Sequence, residues 1–270
     1  MARTTQEILN SLLQEKQQIK ALEVLSSNSA TAIWRLLLYV VAFGIHALEV
    51  LWDQYKKEVD AEIDAMLPHR AKWYHDKVLL FMKDTTLIAD TDKYDTSGMS
   101  EDEIAAARIV KHAAVTEAKD TSRLIIKVAG EDSGKRVPLG TAEEVQLQAY
   151  VQEIKDAGVL FDIVNIQPDI FECELDIYYN PMKNPNTIQY DCEQAIRGYI
   201  SNLPFNGEYS NMAMVDVVQQ VDGVRIVRCK NARSASSLNN TFADIDAFTI
   251  PVAGYFEAKT LTLNLKPHNS

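Results

Sequence analysis

The stretch closest to a phosphate-binding loop is GEDSGKR, residues 130–136. A Walker-type loop needs G-x-x-x-x-G-K-[ST], so that backbone amides cradle phosphate and a hydroxyl binds Mg²⁺. Here the glycines are one residue too close, and Arg136 stands where the hydroxyl belongs. The flanking residues read as two strands, which places no helix N-terminus behind the loop. A hairpin turn is the expectation. DTDKYDTSG, residues 90–98, has the oxygen-rich spacing of a calcium loop but no central glycine, and its twelfth-position acid would have to be Glu101. His69 and His75 are six apart, unlike the i, i+4 pair that shares a helical face, and His46 lies in an apolar run where a packed or hydrogen-bonded role is expected. Glu172, Glu174 and Asp176 alternate along one strand, with no nearby His or Lys to divide acid and base roles. Cys173, Cys192 and Cys229 have no CxxC spacing and are odd in number, so free thiols are expected. No catalytic, cofactor or metal residue is assigned, and no small-molecule substrate is expected.

The bulk composition is that of an ordinary globular chain. The 270 residues are 47% hydrophobic and 24% charged, enough to bury a core, with a formal net charge of −11. That charge repels phosphate backbones and anionic membranes, so no nucleic-acid partner is expected. The first twenty residues are polar from residue 3 and lack the apolar core of a secretory signal. The uninterrupted apolar run, residues 36–45, is ten long against about 20 for a membrane span, so no membrane partner is expected either.

The elements are legible from periodicity. Thr4 and Glu7 form a capping box for a helix over residues 5–25, and Ser26–Ser29 can cap a second helix that runs to about Leu67, where Pro68 stops it. Along that second helix Trp34, Leu38, Val41, Ile45, Leu48, Trp52, Tyr55 and Val59 alternate spacings of four and three, a heptad seam. Around residues 36–43 the other faces are apolar as well, which one short helix in the same chain cannot cover; foreign helices are the expected partners. Residues 69–85 are helix-compatible, residues 87–103 a loop, and Ser100 caps a helix that gives way to strand. A hairpin follows over residues 124–139. Thr141 and Glu144 form a further capping box for a helix closed by Gly158. Strand 171–177 should bury Phe171, Cys173, Leu175 and Ile177 and wet its acidic residues. A helix, a Pro-Asn-Gly turn, a second helix and a strand opening at Gly223 occupy residues 186–229.

The fold class expected is α+β. It has a helical N-terminal region with the long heptad-patterned helix (1–85), a small middle segment with a β-hairpin (86–140), and a compact C-terminal α+β domain with a mixed or antiparallel sheet (141–270).

Taken in order, residues 120–265 resemble the C-terminal region of the baseplate J-like proteins, the wedge subunits of contractile phage tails and related injection machines. The layout of VPLGTAEEVQLQAYVQEIKDAGVLFDIVNIQP, then FECELDIYYNP, a helix, a glycine turn, a short helix and the VDGV exit carries the likeness. The resemblance implies a structural wedge subunit in the virion baseplate, assembled in the host cytoplasm. It implies contacts with other wedge subunits and copies of itself, no enzymatic activity and no cofactor. Members usually carry a larger β-rich part between helical N-terminus and this region, for which residues 86–140 leave little room. An enzyme of unknown substrate, or a membrane-associated adaptor using residues 36–45, are the alternatives.

Overall fold

The computed structural model describes residues 2–29, 31–66, 69–118 and 120–268, and the chain divides into two compact units, residues 1–68 and 69–270. The fold is α+β, as the sequence indicates.

In the first unit, helix α1 (Thr5–Gln18) begins with the expected capping box: the Glu7 amide donates to Thr4 Oγ1, and the Glu7 carboxylate accepts from the Thr4 amide. It stops earlier than residue 25, because Ile19 turns extended (φ −93°, ψ 102°), and a 3₁₀ turn (Lys20–Leu22) follows. Helix α2 (Ile33–Met66) is a single 34-residue rod, about 50 Å long at 1.5 Å per residue. The two run antiparallel: Arg3 bonds Glu49 through its Nε (3.0 Å) and backbone N (2.9 Å), while Lys16 Nζ sits 4.6 Å over the Trp34 ring. Ile8 and Ala42 are buried where they meet.

The second unit opens with α3 (Ala71–Leu79), so the boundary expected at residue 85 moves to residue 68, and 86–140 is not a separate segment. The reason is packing. Tyr74, Val78, Phe81 and Met82 are all within 2% of complete burial, and Val78 and Phe81 join a core with Val110, Ile126, Val128, Leu147 and Val151. Above this core lie β1 (His112–Glu117), β2 (Arg123–Asp132), β3 (Lys135–Val137) and β4 (Leu160–Val164). β2 is antiparallel to β1 and β3 and parallel to β4. Helix α4 (Glu101–Ala107) carries the Ser100–Glu103 capping box, and α5 (Thr141–Ile154) closes the layer. The cap of α5 is one residue earlier than expected: Glu143 reaches back to the Gly140 amide (2.9 Å), because Glu144 is taken by Asn165 Nδ2 (2.9 Å).

The remaining sheet has the order β10-β5-β7-β8, built from β5 (Asp169–Tyr179), β7 (Val224–Ala235), β8 (Phe242–Asp244) and β10 (Phe256–Pro267). β5 runs antiparallel to β7 and parallel to β10, the mixed sheet expected. Helices α6 (Pro185–Asn202) and α7 (Asn211–Gln219) cover one face, burying Phe171, Leu175, Ile177, Cys192, Ile196 and Met214 completely. A short ladder joins β6 (Tyr209–Ser210) to β9 (Phe248–Thr249). β10 is the sheet's edge, with a register shift between Ala258 and Thr260 that leaves Lys259 bulged.

Two glycines shape the connections. Gly223 has φ +94° ahead of β7, as its turn position requires. Gly254 has φ +91°, and a Cβ there would lie 2.8 Å from Phe205 Cζ. Gly254→Ala therefore combines a left-handed backbone with overpacking, and should lower stability by about 2 kcal/mol, read as a lower urea midpoint. Gly207 answers to space alone: its Cβ would meet the Pro204 carbonyl oxygen at 2.8 Å.

Candidate interaction surfaces

Among the described residues, those the sequence singles out for phosphate, calcium or histidine chemistry do not converge on one another. Residues 130–136 form the expected hairpin, the end of β2 and the start of β3 joined by a turn at Ser133–Gly134, with Lys135 paired in register with Asp132 and exposed. Lys135→Ala should leave stability within about 0.5 kcal/mol and leave assembly unchanged, where a phosphate-binding lysine would be indispensable. A thermal melt and a sedimentation run check it. In the 90–98 loop, Asp92 is paired with Lys77 (2.6 Å) and Asp95 accepts from Ser97. Among the described residues no three metal-ligating side chains gather.

The histidines are dispersed. His69 bonds Asp156 (2.9 Å), His75 bonds Asp76 (2.8 Å), and His46 Nδ1 donates to the Arg3 carbonyl (2.7 Å), the hydrogen-bonded packing role expected of it. The three cysteines are free, and burial pushes the thiols of Cys173 to about 12 and Cys192 to about 11.

The acidic face of β5 is less wet than its alternation implied. Asp176 is only 4% exposed. Neighbouring strands close the surface: Glu172 accepts from Arg233 (Nε 2.9 Å, Nη2 2.7 Å) and Thr260 (2.8 Å), Glu174 is paired with Lys230 and Asn264, and Asp176 with Lys266 (2.7 Å). The concavity there holds about 150 Å³, below the size of ordinary ligand pockets. Burial pushes the Glu172 carboxyl up, but Thr260 and Arg233 outweigh it. Lys230 holds Glu174 down, and Lys266 holds Asp176 down. Carboxyls depressed in the folded state stabilise it above their unfolded values, near pH 4, and that contribution disappears as pH falls through the folded ones. The gap in melting temperature between wild type and Lys266→Met should thus be widest near neutral pH and close on acidification.

What the structure does gather is apolar surface. On α2 the eight seam residues share one side, but only half are partly covered: Trp34, Leu38, Ile45 and Val59. Val41, Leu48, Trp52 and Tyr55 stand 49%, 66%, 67% and 58% exposed. At about 100° per residue, the line α1 occupies through Ala42, His46 and Glu49 is centred about a quarter turn from the middle of the seam, whose N-terminal residue Trp34 lies under Lys16 of α1. Leu36, Val40, Phe43 and Leu51 leave the other faces open and apolar too. A groove of about 590 Å³ lies between Ala2 and Arg3, ahead of α1, and Leu48, Glu49, Trp52 and Asp53 of α2.

A second strip lies in the other unit. Phe248, Ile250 and Val252 point outward in alternation with Thr249 and the buried Pro251, at 61%, 49% and 44% exposure. Nothing in the sequence reading singled it out, although its alternation is written in FTIPV.

Ile33–Asp60 is long and apolar enough to cross a membrane, with a mean hydropathy of 1.6 over its best window and 6% of that window buried. Two features bear on it. α1 lies alongside Trp34–Glu49 with Gln6, Asn10, Gln14 and Glu15 facing outward, a polar surface at the depth lipid would occupy. The seam also runs on through Tyr55 and Val59, among Lys56, Lys57, Glu58 and Asp60, where a lipid-facing helix has no use for a heptad.

Compared with known proteins, the sequence matches no family model and no curated protein.

Proposed function

We propose that the chain is a non-enzymatic assembly subunit of the baseplate-wedge kind, built into a contractile tail or injection machine. Its α2 seam packs against helices of other subunits, and its α+β unit supplies further contacts through the 248–252 strip. The observation that carries this is the open seam: four large apolar side chains at heptad spacing, about half to two-thirds exposed, on a rod along which α1 packs about a quarter turn from the seam's centre. Burying such a surface is the main driving force for association. The order of elements over residues 120–265, read from sequence as baseplate J-like, supports the kind of assembly.

The test is reconstitution with the neighbouring wedge proteins of the source particle. The full chain should enter a complex that seam substitutions abolish while Lys135→Ala does not. Incorporation unaffected by seam substitutions sinks the reading.

The length and hydropathy of Ile33–Asp60 favour a second reading, an α2 inserted in a bilayer. Flotation of the full chain with phosphatidylcholine vesicles separates the two: it should stay at the bottom of the gradient if the seam serves protein partners, and rise if it serves lipid.

A further inference from the structure

The seam has an internal symmetry that identifies one partner. In heptad terms Leu38, Ile45, Trp52 and Val59 occupy the a positions, and Trp34, Val41, Leu48 and Tyr55 the d positions. Stacking α2 on a second α2 in parallel, in register, sets each residue on itself: Trp34 on Trp34, Trp52 on Trp52, Tyr55 on Tyr55, with Val41 and Val59 left small against small. Such layers alternate between overfilled and hollow. Reversing one helix about a point between His46 and Ala47 pairs the same eight residues differently. Trp34 meets the second copy's Val59, Leu38 its Tyr55, Val41 its Trp52, and Ile45 its Leu48. Each aromatic ring then faces an aliphatic side chain.

From this juxtaposition we infer that the seam is an isologous interface, on which a second copy of this chain packs its own α2 antiparallel. The inference rests on reading the seam as an assembly surface and names its occupant.

Three further features agree. On the flank away from α1, Gly44 comes opposite Leu51 of the second copy, and a Cβ added at Gly44 would meet nothing within 4 Å in its own chain, leaving room for that leucine. On the other flank, the quarter turn between the α1 line and the seam is the corner of a four-helix square, with α1 of each copy on the same side. α1 carries an apolar stripe two residues wide (Ile8, Leu9, Leu12, Leu13), of which only Ile8 is fully buried in the single chain, so Leu9 and Leu13 are free to face their counterparts. The open seam residues with Leu37 and Leu51 offer on the order of 600 Å² per copy, which reaches the size of a small specific interface when doubled. One rim contact opposes it, Arg35 against the second copy's Lys56, a like-charge pair at the solvent-exposed rim that salt screens. The apolar face holding Val40, Phe43 and Val50 stays open in this dimer for a different subunit.

The test uses the full chain with Cys229→Ala, to remove the one cysteine that is not buried, and a nitroxide at Lys57→Cys or, separately, Val50→Cys. The protein should sediment at twice the chain mass. In the antiparallel pair the two labels are offset along the axis by about 30 Å at residue 57 and about 10 Å at residue 50. The electron–electron distance should therefore be more than 10 Å longer at 57 than at 50. Equal distances at the two sites mean a parallel pair and overturn the inference. A monomer at tens of micromolar overturns it as well. If that monomer still enters the reconstituted complex through the seam, the assembly reading stands and only its occupant was misnamed.

Discussion

Val41→Asp should leave the isolated chain folded and weaken its association by about 3 kcal/mol, roughly a hundredfold in dissociation constant. Val41 is 49% exposed in the single chain, so the carboxylate remains in water until a partner covers it, and no core contact is lost on folding. On docking, the charge meets apolar surface at the middle of the seam, where its neighbours along α2 are Leu38, Ile45 and Leu48. The result would appear in sedimentation velocity as a shift towards the monomer, with an unchanged circular dichroism spectrum. An assembly constant equal to wild type removes the seam from the interface altogether.

Phe171→Ala should do the reverse, costing about 4 kcal/mol of folding stability in the second unit with no direct effect at the seam. Phe171 is completely buried, its ring centre 4.8 Å from that of Tyr209 and 6.1 Å from that of Phe256, so truncation empties the middle of an aromatic cluster that neither α6 nor β10 can collapse to fill. Against a typical domain stability of 5–15 kcal/mol this is a large fraction. Because the chain holds two units, hydrogen exchange resolved by segment measures it better than one global melt: protection in β5, β7 and β10 should fall together while α2 is unaffected. Retained protection in those strands would mean that the cluster contributes little to the sheet.

How far each feature was legible follows from the range of the interaction behind it. Local signals were readable: the Thr4–Glu7 and Ser100–Glu103 boxes, the Gly223 turn and the 34-residue rod each depend on residues a few positions apart. The misplaced cap of α5 shows the limit, since Glu144 has the right spacing but is drawn away by Asn165, twenty-one residues on. The boundary at residue 68 was hidden for a similar reason: residues 69–85 continue a helical composition, and only the burial of Tyr74 and Val78 assigns them to the second unit. The parallel pairing of β5 with β10 joins segments nearly ninety residues apart and leaves no mark in either strand. On α2 the heptad was plain, but which side α1 would take was not, because that choice is fixed by the Arg3–Glu49 and Arg3–His46 contacts rather than by hydrophobic spacing.

The bulge at Lys259 acquires meaning once copies are crowded together. A twelve-residue outer strand offers a row of unspent amides and carbonyls, the template on which neighbouring molecules zip into fibres. Lys259 breaks that row near its start, Lys266 places a cation near its end, and Pro267 withholds a donor beside it. Any arrangement that brought many copies of the chain together would need such blunting more than a dilute monomer does, and three side chains on this one strand supply it.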